Sequence, residues 1–220
     1  PVYSVTSTKA DLEKFVATDS LGVQFPKNIQ LKGSLKGTTS RAITKSTLTT
    51  TDGIVTLDGR ANFGDNLDFE GKVNASEVNL GKLLQNESLG FVSLNLNAEG
   101  TGNSINTLDA QVSAQIDSIQ FNKYTFQKLA LDGSFQNGVG DLNSSYKDDN
   151  LNMTLAAEVT LDSIASEAKI DLDLIGADLQ ALGLTSQGIK AAFHLNGTFK
   201  GDPEDYQIKT QINRGVAVYD

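Results

Sequence analysis

The chain has 220 residues, a formal net charge of −9, no Cys, no Trp, one His and one Met. An acidic surface argues against nucleic acid, whose phosphates need a basic footprint, and against docking on anionic lipid headgroups. The missing cysteines exclude a disulfide framework and a thiolate metal site, and a chain with 20 glycines and few large aromatics suits a thin sheet better than a thick globular core.

Taken in order, the chain opens in a strand pattern, VYSVTS, and finishes in another, GVAVYD. It is therefore expected to be a piece of a longer protein, with targeting and anchoring segments outside residues 1–220. No run approaches the ~18 apolar residues of a membrane helix. A step Ala10-Asp11-Leu12 followed by Phe15 leads to LKGSLKG, ending at Gly37.

From there the dominant signal is period-two alternation, which places the apolar side chains of a strand on one face. GIVTLDGRANF puts Val55, Leu57, Gly59, Ala61 and Phe63 on one side, and LDFEGKVNA does the same with Leu67, Phe69, Val73 and Ala75. The step Val78-Asn79-Leu80, then Leu83, precedes a strand carrying Val92, Leu94, Leu96 and Ala98. Further on come Ala110, Val112, Ala114 and Ile116, then Leu129, Leu131, Gly133 and Phe135. The pattern continues through Leu151, Met153, Leu155, Ala157 and Val159, then Ala168, Ile170, Leu172 and Leu174. Phe193 and Leu195 follow, and DYQIKTQI closes the series. Single-sided alternation marks antiparallel strands with one wet face. Turn signals at Thr51-Asp52-Gly53, Gly64-Asp65-Asn66, Gln136-Asn137-Gly138 and Lys147-Asp148-Asp149-Asn150 separate the runs at hairpin spacing. The chain reads as a meander.

Three places interrupt it with a Leu-x-x-apolar step after Asp11, Asn79 or Asp178, as an N-cap residue precedes a helix of one or two turns. Short helices are expected at 11–17, 79–86 and 178–183. Leu80 to Leu179, Leu96 to Leu195 and Gly102 to Gly201 are each 99 residues apart. Three repeats are thus expected, near 8–37, 76–102 and 175–201, within a single segment. About a dozen strands at roughly 4.8 Å each span on the order of 55–60 Å. A sheet that wide must curl, fold or close, and no long amphipathic helix is present to cover its apolar side. Either two halves face each other as a sandwich or barrel, or the sheet bends into a trough.

Chemistry is sparse. His194, the single histidine, falls on the polar side of its strand, and no G-x-S-x-G elbow accompanies it. Asp148 and Asp149 sit in a turn, Asp171 and Asp173 alternate along a wet face, and Gly100-Thr101-Gly102 lacks the third glycine of a phosphate loop. The expectation is a non-enzyme without metal or cofactor.

The Asp11-Leu12, Asn79-Leu80 and Asp178-Leu179 steps, each leading to a strand that ends in Gly (LKGSLKG, LNLNAEGTG, HLNGTFKG), resemble the AsmA-like superfamily, and within it the TamB-type proteins of Gram-negative bacteria. Meandering Leu/Asn/Ser/Gly-rich strands such as LALDGSFQNG complete the likeness, which covers essentially the whole chain. The resemblance implies an all-β fold, a long antiparallel meander curled into a U-shaped groove with short helices between repeats. It also implies a periplasmic protein tethered to the inner membrane by a segment outside this chain. The function implied is holding acyl chains for phospholipid transport between the membranes, or supporting outer-membrane protein assembly. Partners would be phospholipid, flanking segments paired at edge strands, and an outer-membrane assembly protein. The groove lining would be the alternating set named above, from Val55 and Leu57 to Phe193 and Leu195, without polar anchors to stop a tail from sliding. The rival reading is a structural β-sandwich or adhesin-type module with a closed core.

Overall fold

The computed structural model describes residues 1–14, 24–122, 124–201 and 206–219. Thirteen strands form one antiparallel sheet in strict sequence order. They are β1 (Val2–Thr8), β2 (Asn28–Thr38), β3 (Arg41–Thr50), β4 (Gly53–Phe63), β5 (Leu67–Asn79), β6 (Leu89–Thr101) and β7 (Asp109–Phe121). There follow β8 (Tyr124–Gln136), β9 (Val139–Lys147), β10 (Leu151–Thr160), β11 (Ser166–Asp178), β12 (Ile189–Gly201) and β13 (Tyr206–Tyr219). The order begins at β1 and ends at β13, so the sheet is an open meander and not a closed barrel. Strands of 13 residues, such as β5, β6 and β12, run about 43 Å, more than twice the usual length.

The chain divides into two compact units, residues 1–98 with 115–127, and residues 99–114 with 128–220. In the first, β2 to β5 pair without a break in register, as in Leu31–Leu48–Val55–Ala75 and Gly33–Ser46–Leu57–Val73. In the second, β8 to β13 form equivalent rows, as in Leu131–Ser144–Leu155–Leu172–Leu195–Ile212. The predicted turns all separate strands. At Asn137-Gly138 both residues have positive φ, 49° and 72°, the geometry an Asn-Gly hairpin turn requires.

Alternation fails in β5 and fails again 99 residues later in β11. Ala75 and Val78 are both buried although three residues apart, because Glu77 takes φ 49° and inserts an extra residue into β5. Leu174 and Ala177, 99 residues later, are both buried across the register shift in β11. A bulge turns one side chain out and returns the next apolar residue to the inner face. Here it brings the strand end down into the turn that follows.

Those turns are shorter than the sequence suggests. The first helix, α1, is Lys9–Leu12, and its N-cap is Thr8, not Asp11. Asp11 instead completes a capping box, its main-chain N–H donating to the Thr8 hydroxyl while its carboxylate accepts from Thr8. That hydrogen bonding, with Lys14 beside it, lowers the Asp11 pKa. Phe15 and the rest of the expected 11–17 helix lie outside the described residues. The second helix, α2, is Leu80–Leu83, capped by Asn79 as predicted, and ends well before residue 86. Residues 178–183 form a capped turn and no helix, with Ala181 donating to the Asp178 carboxylate at 2.9 Å. Gly100 and Thr101 belong to β6.

The loop between β10 and β11 is held by Asp162, whose carboxylate accepts from the main-chain N–H of Ile164 (2.8 Å) and Ala165 (3.2 Å) and from the Asn106 amide (2.8 Å). These bonds, the backbone ones foremost, lower its pKa. A carboxyl with a lowered folded-state pKa stabilises fully above its unfolded value and loses that contribution as pH falls through the folded one. Asp162→Asn keeps the acceptor but not the titration. The melting-temperature gap between wild type and this variant is therefore expected to be largest at neutral pH and to close as pH drops below about 4, read by thermal melts across the acid range.

Candidate functional site: the apolar face

A single sheet layer has two faces, and alternation divides the side chains between them. On the wet face, charges pair across strands: Lys45 with Asp58 at 2.8 Å, Arg60 with Glu70 at 2.6 Å, and Lys169 with Glu158 at 2.6 Å. The hydrogen bonds to Asp58 and Glu158 raise the pKa values of Lys45 and Lys169. Amides join the same pattern: Asn74 donates to Asn95 and Asn95 to Asp117. His194 lies on this face, 3.5 Å from Asp171 and 3.8 Å from Asp173. A concavity of about 720 Å³ on this side of the first unit runs between the rows Ser34–Lys45–Asp58–Lys72 and Lys32–Thr47–Thr56–Asn74.

The opposite face carries the residues expected to line a groove. In the first unit the register sets Val55 beside Ala75, Leu57 beside Val73, Phe69 beside Ala61, and Phe63 beside Leu67. Ala75, Val78 and Val92 form a small buried cluster, against which Val55, Leu80, Leu83, Leu94, Ile116 and Ile119 pack. Next to it, Leu35, Ala42, Leu57, Ala61, Phe69, Val73, Leu96 and Ala98 wall an open trough of about 260 Å³. Gly59 and Gly71, opposite each other in the ladder, form its floor.

In the second unit the expected residues again share one side. Leu131, Leu155, Leu172 and Leu195 form one row, with Leu129 two residues before Leu131. Ile170 lies between Ala157 and Gly197, and Val159 between Gly140 and Ala168. Met153, Leu174 and Phe193 are linked across β10 to β12, and Leu151 stands opposite Ala177. Val112 is half-buried on the side of β7 that carries Ala110.

Little of this face is covered. Of the predicted lining residues Ala75, Val92, Ala110, Leu151 and Leu174 are buried, while Leu57 and Phe63 remain 38% and 50% exposed. No large side chain among the described residues is fully buried.

The sequence does not reveal that the face also carries polar groups. Tyr3 reaches from β1 across β2 to bond Ser46 on β3 at 2.5 Å, and Thr44 bonds Ser46 at 2.9 Å. This hydrogen bonding, Ser46 first, lowers the Tyr3 pKa. The crossing requires Gly33: a Cβ there would stand 2.6 Å from the Tyr3 hydroxyl oxygen. A stripe of hydroxyls therefore borders the apolar trough, which the alternation pattern alone presents as unanchored.

Among the described residues no group of three or more His, Asp or Glu side chains is placed to hold a metal ion, and no helix is long and apolar enough to cross a membrane. Compared with known proteins, the chain matches no family model, no curated protein and no solved structure.

Proposed function

We propose that the apolar face of the sheet is a binding surface for acyl chains, and that the protein handles phospholipid or a similar amphiphile without catalysing a reaction. One observation carries the reading: two-residue alternation makes an apolar side in both units, and the described chain leaves most of it half-exposed. Exposed apolar area of that extent marks an interaction site. Each methylene moved from water onto such a surface stabilises by about 0.8 kcal/mol, enough for a tail of ordinary length. The reading includes a curl of the sheet into a U-shaped groove, supported by the trough between Leu35 and Ala98 in the first unit. The sequence likeness to AsmA-like proteins supports the same function, with a periplasmic site, an inner-membrane tether beyond this chain, and transport of phospholipid or assembly of outer-membrane proteins as its setting. Edge strands β1 and β13 suit pairing with flanking segments. The rival, a closed module, would bury the apolar side, whereas Leu57 and Phe63 remain exposed.

Delipidated protein titrated with a fluorescent fatty acid tests this directly. Saturable binding, with lipid recovered by solvent extraction from the protein as purified, is the expected result. A chain that binds no probe and yields no lipid is a structural module.

A further inference from the structure

We infer that the outer edge of β13 is a docking site for an acidic β-strand with carboxylates at the first and fifth positions of a five-residue stretch. The inference rests on the edge pairing proposed above and adds the chemistry of the partner.

All fourteen residues of β13 are exposed, and among the described residues only β12 pairs with it. An edge this long presents a row of free main-chain donors and acceptors. On its wet face it carries Lys209 and Arg214, and from Tyr206 to Tyr219 it carries no acid. The bulge at Asn213, held by that residue's amide on Asn196, sets Lys209 opposite Thr198 and Arg214 opposite His194. Neither neighbour is acidic, and among the described residues neither cation has an ion pair.

The other side of β12 shows what such a face accepts. There β11 sets Glu167 opposite Lys200, Asp173 opposite His194 and Asp178 opposite Lys190, with Glu167 3.8 Å from Lys200. Lys45–Asp58, Arg60–Glu70 and Lys169–Glu158 follow the same rule elsewhere in the sheet. The cations of β13 lack this complement, and the next strand would supply it. Thr198 and His194 are four residues apart, so an antiparallel partner needs acids four apart, with apolar residues facing Ile208 and Ile212. Residues 167–172, EAKIDL, already have that pattern.

A second copy of the chain does not fit. Two β13 edges would bring Lys209 and Arg214 near their own counterparts, and like charges in a ladder repel. The β1 edge is half as long, 7 residues against 14, and has no Asp, Glu, Lys or Arg.

The test is a labelled synthetic peptide copying residues 166–174, SEAKIDLDL, titrated onto the 220-residue protein. Fluorescence anisotropy and amide hydrogen exchange across 206–219 are the readouts. Saturable binding that protects β13 and weakens as salt rises is expected. Lys209→Glu with Arg214→Glu is expected to weaken it roughly tenfold. A peptide with its charges inverted then binds the variant better than the wild type. If 206–219 are protected equally by acidic and charge-inverted peptides, the edge pairs but the acid rule is wrong. If no peptide protects 206–219, edge pairing fails as well. Oligomers that form head to tail and resist the acidic peptide would make β1 of a second copy the occupant and overturn the inference.

Discussion

Gly53→Ala is expected to lower the melting temperature by about 5–15 °C, corresponding to roughly 2–5 kcal/mol in a chain of this length. Two costs combine at this position. Its φ of 130° lies where side chains other than glycine are strained. An added Cβ would also stand 2.6 Å from the Val78 Cα and 2.8 Å from the Glu77 carbonyl oxygen. Both contacts are backbone, so no rotamer change relieves them. The site matters beyond its own strain, because β4 starts here against the bulge that returns Val78 to the buried cluster. Pushing the bulge away opens the packing among Val78, Val92 and Leu83. Gly176→Ala is the matched control: it sits at the corresponding bulge of the second unit, with nothing within 4 Å of the added carbon. That change is expected to be neutral or to raise the melting temperature slightly, since a strand glycine costs about 0.5–1 kcal/mol relative to alanine. Thermal melts of the two variants side by side check the pair. Equal effects would mean that the close approach at Gly53 does not constrain the fold.

The contrast marks where sequence reading succeeds and where it stops. The face of nearly every apolar residue follows from alternation, because an extended backbone leaves a side chain only two directions. Turns such as Asn137-Gly138 fix the register locally, so a meander needs no long-range information to be ordered. The bulges are different. Ala75-x-x-Val78 and Leu174-x-x-Ala177 break the two-residue period, and a single strand's pattern does not mark such a break as a bulge. The 99-residue identity of the two spacings was the available signal, since a fault in alternation repeated at a fixed interval belongs to the architecture. The sequence points to Asp11 as the first helix start because Asp is a good cap. Thr8 takes the role since Asp11, three residues on, can return a carboxylate to it, and T-x-x-D satisfies more groups than a cap at Asp11 alone. The hydroxyl stripe of Tyr3, Ser46 and Thr44 needs three strands in register before it exists, and no single strand's pattern carries it. The trough depends on how neighbouring strands twist against one another, which residue order along one strand does not encode.

Leu57→Asp combined with Val73→Asp is expected to weaken acyl-probe binding roughly a hundredfold while the protein still folds. The two residues stand opposite each other in β4 and β5 and wall the trough with Leu96. Leu57 is already 38% exposed and Val73 half-buried, so their carboxylates keep access to water and the sheet is not asked to bury a charge. A tail lying in the trough loses contact with both side chains and meets two charges. Displacing three or four methylenes at about 0.8 kcal/mol each weakens binding by roughly a hundredfold. Thr56→Asp tests the side of the sheet. Thr56 lies between Leu57 and Val55 in sequence but on the wet face, level with Asn74, and its change is expected to leave probe affinity intact. Titrating a fluorescent fatty acid against wild type and both variants, with circular dichroism to confirm the strands, separates the outcomes. Loss in the Leu57/Val73 variant alone places the acyl chain on the apolar face of the first unit. Equal affinity in all three removes that trough from the function, and loss with Thr56→Asp alone moves binding to the lysine-lined concavity on the other side. The double variant decides most sharply because it alters one wall of one trough and leaves every hydrogen-bonded rung of the ladder in place.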